Sequence, residues 1–354
     1  MSVTAVLVNY HTAAMLQPLL DYLCGDPLVI KTVVVDNSGE LHAEMGSGSE
    51  RTRILTNSEN RGFGTAVNQA LAHAKGEWIL VINPDIRLCR GCVKELVKAG
   101  EKCGGTLLGP RFYWDGQLQF RLPPATGGCL WLDAASNAAE KFALDRELFS
   151  FFWILRHQRF WEADAPFFEP FLTGACLLVR REWVASRCSK LFDERFFLYF
   201  EDTDLCAEAL RDGIRPLCVP SAAAIHYWDQ SPSPEKSKPD LMGMAHEAFM
   251  KKYYGTERSP LPAGAGAFEA PAVTDLGEQE SPPAFPVDTA GGEESFFFEM
   301  GINPVFVPFA QALVEKNTFE LPPAIWSRLG KGIYYCRVRG AFSGTKAVWK
   351  WKKK

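Results

Sequence analysis

The chain has 354 residues, 47% hydrophobic and 23% charged, with a formal net charge of −4 at pH 7. That is ordinary globular composition with apolar material for a sizeable core, and the length suits two unequal domains better than one. No basic field marks nucleic acid as a partner, and no stretch reaches the roughly 20 apolar residues that span a bilayer. The N-terminus opens directly on a strand-like run, without a charged-then-apolar leader. Ten scattered cysteines, several in apolar runs (Cys176, Cys206, Cys218), suit a reducing cytoplasm. Cys89 and Cys92 form a lone CxxC, a weak zinc or redox signal without a second pair.

In chain order, Val3 to Val8 is a short β-branched run ending at Asn9-Tyr10, and a helix is expected through Leu16, Leu19, Leu20 and Leu23. Val29 to Val35 is almost continuously apolar, the pattern of a strand buried on both faces of a parallel sheet, and it stops at Asp36-Asn37-Ser38-Gly39. Arg53 to Leu55 is a weaker strand. Asn60-Arg61-Gly62-Phe63-Gly64 then leads into a helix carrying Ala66, Val67, Ala70, Leu71 and Ala74. Trp78 to Ile82 is another buried strand, ended by Asn83-Pro84-Asp85. Strands alternating with helices predict an α/β domain with a mainly parallel sheet. Ligands of such sheets bind beyond the carboxyl ends of the strands, where Asn9, Asp36 and Asp85 all fall.

The middle is less regular. Phe149 to Trp161 is rich in aromatic residues and reads as core or as a cleft wall rather than a membrane anchor. Phe171 to Val179 suggests a strand through Thr173-Gly174-Ala175. Phe196 to Phe200 delivers the acidic cluster Glu201-Asp202-Thr203-Asp204 to a helix with Gly213 as its C-cap, and a further strand precedes His226. Composition then shifts to Pro, Gly, Ala and acidic residues, read as a linker, before β character returns. The expected division is 1–257, an α/β domain; 258–294, the linker; and 295–354, a small β domain of about 60 residues, near the lower limit for independent stability. The lysines at 346–354 read as a solvated strand end, with contact to an anionic membrane surface as the alternative.

The runs Val8-Asn9-Tyr10, Val33 to Ser38, Asn60 to Gly64, Asn83-Pro84-Asp85, Thr173-Gly174-Ala175, Phe192 to Phe197 and Glu201 to Leu205, followed by His226, occur in that order. Together they closely resemble the family 2 glycosyltransferases, in particular the rhamnosyltransferase-like branch with the GT-A fold, over about residues 3–255. The C-terminal segment faintly resembles part of a fibronectin type III-like sandwich.

The resemblance implies an inverting, metal-dependent transfer of a hexose or deoxyhexose, such as rhamnose, from a nucleoside-diphosphate donor. The acceptor would be a glycan or lipid-linked molecule in cell-surface polysaccharide synthesis, in the cytoplasm or at the inner face of the membrane. It implies nucleotide-sugar contacts at Asn9, Tyr10, Asp36, Asn60, Arg61, Gly62, Asn83 and Gly174. Asp36 would hydrogen-bond the base. Asp85 and His226 would bind a divalent metal, Mn2+ or Mg2+, and Asp202, with Glu201 beside it, would be the catalytic base. The first position of the superfamily's Asp-x-Asp motif is Asn83 here, an uncharged and weaker ligand. Two other classes compete. A nucleotidyltransferase needs a basic, Gly-rich loop after the first strand, where this chain has Asn9-Tyr10-His11-Thr12. A non-catalytic glycan-binding protein on a decayed scaffold would not be expected to keep Asp36, Asp85, Asp202 and His226 together.

Overall fold

The computed structural model describes residues 1–41, 51–227, 238–255, 273–287, 295–314, 317–340 and 344–354. In chain order the elements are β1 (Val3–Asn9), α1 (Ala13–Gly25), β2 (Val29–Asp36), β3 (Thr52–Thr56), α2 (Phe63–Leu71), β4 (Trp78–Ile82), β5 (Ile86–Leu88), α3 (Cys92–Cys103), β6 (Leu107–Tyr113), α4 (Leu130–Lys141) and α5 (Ala143–Glu162). They continue as β7 (Phe167–Phe168), β8 (Cys176–Arg180), α6 (Arg181–Ser186), α7 (Glu201–Arg211), β9 (Leu217–His226), α8 (Lys238–Tyr254), β10 (Thr274–Gln279) and β11 (Ala284–Pro286). The chain ends through β12 (Phe296–Gly301), β13 (Phe309–Val314), β14 (Thr318–Glu320), α9 (Pro323–Trp326), β15 (Gly332–Gly340) and β16 (Gly344–Lys353). Among the described residues, no helix is long and apolar enough to cross a membrane.

Chain contacts divide the molecule into two compact units, and the division does not follow the chain linearly. The first comprises Met1–Arg111, Ala125–Leu130 and Glu162–Ser259; the second comprises Phe112–Pro124, Trp131–Trp161 and Pro260–Lys354.

The first unit is built on a nine-stranded sheet of order β3-β2-β1-β4-β8-β6-β9-β5, with β7 added against β9. The strands β3, β2, β1 and β4 pair in parallel, as the apolar runs predict. Every residue of β1 and β4 is buried. Beyond β4 the pairings of β8 with β4 and β6, and of β9 with β5 and β7, are antiparallel. The parallel register sets Asn9 of β1 directly beside Asp36 of β2, so the polar residues that end these strands share one edge. α7 stops where expected: Gly213 takes a positive φ of 76°, and the Ile214 amide returns to the Ala209 carbonyl at 2.8 Å. The strand expected over Phe171 to Val179 begins only at Cys176, because Thr173 to Ala175 is a turn that serves the site.

In the second unit β10-β16-β15-β12-β13 form a five-stranded sheet, and β11 and β14 form a separate two-stranded ribbon. Phe285 of β11 meets Phe298 at 4.9 Å and Trp349 at 5.3 Å, while Phe319 of β14 stacks on Phe298 at 4.0 Å. The ribbon thus lies on the sheet through aromatic packing. Phe149 and Trp153 of α5, with Ala139 of α4, share a core with Val305, Phe306, Phe309 and Val348. The aromatic run at 149–161 is therefore helical, and half of it is core.

Two expectations are corrected here. Residues 273–287, within the stretch read as linker, form β10 and β11; the rest of that stretch lies largely outside the described residues. Its acidic residues are strand partners of the terminal lysines: Lys350 binds Asp275 at 3.3 Å, Lys352 binds Glu278 at 2.8 Å and Lys354 binds Glu280 at 2.8 Å. That ladder gives three of the terminal lysines acidic partners, while their side chains stay partly exposed. The second concerns the β character expected from residue 295 on: Val305 to Val307 lie outside any strand, and β13 starts at Phe309.

Candidate active site

At the carboxyl end of β2, Asp36 is completely buried. Its Oδ1 accepts from Asn9 Nδ2 (3.0 Å), the Ser38 amide (3.0 Å) and Ser38 Oγ (2.8 Å), and its Oδ2 accepts from the Leu41 amide (2.9 Å). Burial would raise the carboxyl's pKa, but the donors at Leu41, Asn9 and Ser38 outweigh it and hold the group below its ordinary value. Three of these donors meet Oδ1 and one meets Oδ2, and a carboxylate oxygen can accept two. Asp36 thus braces the loop after β2 and keeps acceptor capacity on Oδ2.

Asn9 completes that brace. Its amide nitrogen also reaches Ser38 Oγ and Glu40, and its Oδ1 accepts from the Thr12 amide and hydroxyl. Tyr10 is half-buried and meets His11 edge-on at 4.6 Å.

Sequence reasoning gave no site role to Asn37 or Asn57. Asn37, 4% exposed, donates to Asn60 Oδ1 (3.2 Å) and to the Gly62 carbonyl (3.1 Å), and accepts from Asn57 Nδ2 (2.8 Å). Asn60 Oδ1 also accepts from the Gly62 amide at 3.0 Å. Asn60 is therefore a joint between the β2 loop and α2, and Arg61 beside it is exposed. Gly62 caps α2 with φ 80°, and a Cβ built there would lie 2.4 Å from the Phe197 carbonyl oxygen. The first amide of α2, Phe63 N, donates to that same carbonyl at 2.9 Å. Gly62 thus permits close packing against the segment before α7, and its own amide is already engaged. Gly62→Ala combines an unfavourable φ with a backbone clash, so it should destabilise the unit by about 2 kcal/mol or more. Urea unfolding checks this; a midpoint within error of wild type would refute the packing role.

Tyr199 and Phe200 both adopt left-handed backbone, φ 71° and 64°, immediately before Glu201. Such strain persists only where the surroundings hold it. Here Phe196 is buried with Ala245, Phe249 and Met250 of α8, and Tyr199 and Phe200 pack on the same cluster. One helical step further, buried Asp204 binds Lys252 Nζ (2.6 Å) and the Tyr253 hydroxyl (2.9 Å), tying α7 to α8. Asp204 is therefore a structural anchor rather than a second candidate base.

The bend delivers Glu201 and Asp202 to the first turn of α7. Asp202 Oδ2 accepts from the Gly174 amide at 2.8 Å and its Oδ1 from the Thr203 amide at 2.7 Å. One backbone donor on each oxygen fixes the carboxylate and leaves acceptor capacity on both. Gly174 allows the approach: a Cβ there would stand 3.3 Å from the Asp202 Cβ. Burial raises the Asp202 pKa, only partly offset by the Gly174 and Thr203 amides. Glu201 is 7% exposed, its Oε2 is buried without a partner, and burial first, then the charge of Asp202, pushes its pKa up to about 8.

A carboxyl with its folded pKa above the unfolded one favours the fold below the unfolded value, and that support is lost as pH rises through the folded value. Glu201 should therefore lower stability between its ordinary 4.5 and about 8. In thermal scans over that range, Glu201→Gln should show a smaller decline of Tm with pH than wild type. Parallel pH profiles would sink this reading.

The turn at Thr173 to Ala175 also touches the end of β4, where the Asn83 amide donates to the Ala175 carbonyl at 2.9 Å. Asp85, 7% exposed, has its Oδ2 3.5 Å from His226 Nε2. The two are brought together by the antiparallel pairing of β5 with β9 and by the Tyr227 amide on the Asp85 carbonyl. Asn83 Oδ1 and Asp85 Oδ1 are both buried with no hydrogen-bond partner. Such oxygens are costly unless something polar meets them. A hard divalent cation is bound through oxygen and imidazole donors, with substrate phosphates and water completing its shell. Asn83, Asp85 and His226 fit that requirement as a partial ligand set. Among the described residues, no group of three or more His, Cys, Asp or Glu forms a complete cage.

A family model described as glycosyl transferase family 2 matches residues 4–185. Over half of the chain is covered, and the chain belongs to that family, with a GT-A fold. It is similar to N-acetylglucosaminyl-diphospho-decaprenol L-rhamnosyltransferase of Mycobacterium tuberculosis (strains CDC 1551 / Oshkosh and ATCC 25618 / H37Rv), 30% identical over 193 residues. That match covers 49% of this chain and 58% of the relative, so the chain spans little more than half the length of these relatives. An uncharacterized protein, y4gI of Sinorhizobium fredii (strain NBRC 101917 / NGR234), is 22% identical over 65% of this chain and 25% of its own length. Among solved structures, mannosyltransferase PcManGT from Pyrobaculum calidifontis in complex with GDP-Man and Mn2+ is 16% identical. It aligns with a TM-score of 0.43 over 71% of this chain and 64% of that one.

Proposed function

We propose that this chain transfers a sugar from a nucleoside diphosphate to a hydroxyl acceptor with inversion, using Asp202 as general base. The observation that carries this reading is the turn at Thr173 to Ala175. It holds Asp202 through the Gly174 amide and Asn83 through the Ala175 carbonyl, so a fixed carboxylate and a pair of partnerless oxygens share one support.

Asp202 takes the proton of the acceptor hydroxyl as that oxygen attacks the anomeric carbon and the bond to the diphosphate breaks. Burial pushes the Glu201 carboxyl up to about 8, which leaves Asp202 as the proton acceptor of this adjacent pair. Asn83, Asp85 and His226 would hold a divalent cation, Mn2+ or Mg2+. When bound, it would supply neutralisation of charge developing on the leaving diphosphate. Asn9 and Asp36 set the loop after β2 that frames the nucleoside; Tyr10, Asn60, Arg61 and Gly62 line or support that frame. Similarity to a rhamnosyltransferase named for a decaprenol-linked substrate supports a deoxyhexose donor, rhamnose before other hexoses, and a lipid-linked or glycan acceptor.

The test is thermal stabilisation by a nucleotide-sugar panel with and without Mn2+ or Mg2+. A true donor at 100 times its Kd adds about 2.7 kcal/mol. A panel with no stabilising member, and no hydrolysis of any donor, would reject the proposal.

A further inference from the structure

Asn37 follows Asp36 at the carboxyl end of β2, and its buried side chain joins two segments remote from it in the chain. Its Nδ2 donates to Asn60 Oδ1 at 3.2 Å and to the Gly62 carbonyl at 3.1 Å, while its Oδ1 accepts from Asn57 Nδ2 at 2.8 Å. A carbonyl only accepts, so the Gly62 contact fixes which end of the amide faces α2. The backbone is pinned as well. The Asn37 amide donates to the Asn9 carbonyl at 2.8 Å, and the Asn57 amide to the Asp36 carbonyl at 2.9 Å.

The two acceptors of Nδ2 stand on either side of Arg61. Asn60 Oδ1 also takes the Gly62 amide at 3.0 Å, which closes an Asx turn with Arg61 at its centre. One oxygen therefore serves both the turn and Asn37. Without Asn37, the Asn60 side chain and the Gly62 carbonyl lose the buried donor they share, and the turn keeps only its internal hydrogen bond. Arg61 is exposed and sits just before α2, where a helix N-terminus favours an anion. A long exposed side chain has many rotamers, so the reach of its charge depends on how its backbone is held.

We infer that Asn37 is a positioning residue for the sugar donor: through Asn60 and Gly62 it holds the turn that presents the Arg61 guanidinium to the diphosphate. This role rests on the nucleotide-sugar transfer proposed above. Asp202 is held by other contacts, the Gly174 and Thr203 amides. Loss of Asn37 should therefore fall on donor binding and spare the chemical step.

The test is titration calorimetry of the full chain with UDP, GDP and dTDP in buffer containing Mn2+, with folding checked by circular dichroism. Asn37→Ala should weaken the tightest of these by at least about 10-fold, the effect of losing two hydrogen bonds, and Arg61→Ala should do the same. The double variant should bind no more weakly than the weaker single one, because both act through one contact. Asn60→Ala, at a half-buried position, breaks the same clamp and should show the same coupling to Arg61→Ala; it decides the outcome if Asn37→Ala does not fold. With the nucleotide sugar of the tightest binder, donor KM should rise in Asn37→Ala while kcat for hydrolysis stays within about 3-fold of wild type. Additive losses, unchanged affinity in a folded Asn37→Ala, or a fall in kcat at unchanged KM would each overturn the role. A wild type that binds none of the three nucleotides refutes the transferase reading itself, and this role with it.

Discussion

Asp202→Asn should lower sugar transfer by about 10²–10⁴-fold, the usual worth of a general base, with donor affinity nearly unchanged. The substitution keeps the shape of the side chain. Its carbonyl oxygen can still accept from the Gly174 amide, while the new amide nitrogen faces the Thr203 amide that Asp202 Oδ1 accepts from at 2.7 Å. One local hydrogen bond is lost, so Tm is measured beside the rate. Single-turnover transfer and donor binding, followed separately, divide the alternatives. Near-normal transfer would remove Asp202 from the role. Lost donor affinity at an unchanged rate would make it a binding residue and hand the base to Glu201. Asp204→Asn should behave differently, lowering stability rather than chemistry, because its carboxylate is the buried partner of Lys252 and Tyr253.

The second large effect is expected at Asp85. Asp85→Ala removes the only carboxylate of Asn83-Pro84-Asp85 and should reduce metal-dependent donor turnover by at least about 10²-fold. The chain should remain folded, since Asp85 Oδ1 satisfies no protein donor. Direct titration of Mn2+ by calorimetry or electron paramagnetic resonance, in the presence of nucleoside diphosphate, reads the site independently of turnover. Asn83→Asp adds a second carboxylate at an oxygen that is now partnerless and should tighten that binding. Asp85→Ala with wild-type metal affinity and wild-type metal activation would dissolve the assignment.

How much of this was legible beforehand differs by residue. The parallel half of the sheet was readable because burial on both faces demands continuous apolar runs, and Val29 to Val35 and Trp78 to Ile82 have them. The ordered polar strand ends were readable for the same reason, as a parallel sheet must collect them on one edge. The aromatic run at 149–161 showed no single apolar face because α5 has two, one in the core and one in solvent. The Pro- and acid-rich stretch looked like a linker because β10 is short and its acidic side chains have no apolar period; they pair with lysines some 75 residues away, a distance no local pattern encodes.

The sequence by itself determined the family, the strand-ended polar edge and the identity of the carboxylates, since these depend on residue type and on order along the chain. Only the tertiary structure decided how each carboxylate is held. Asp36, Asp202 and Asp85 follow similar local signals, yet Asp36 takes three donors on Oδ1 and one on Oδ2, Asp202 takes one backbone amide on each oxygen, and Asp85 keeps an oxygen without any. The physical reason is that hydrogen-bond satisfaction and burial are set by neighbours distant in sequence, such as Gly174 for Asp202 and His226 for Asp85. Those two quantities fix whether a buried acid braces a loop, accepts a proton or waits for a cation.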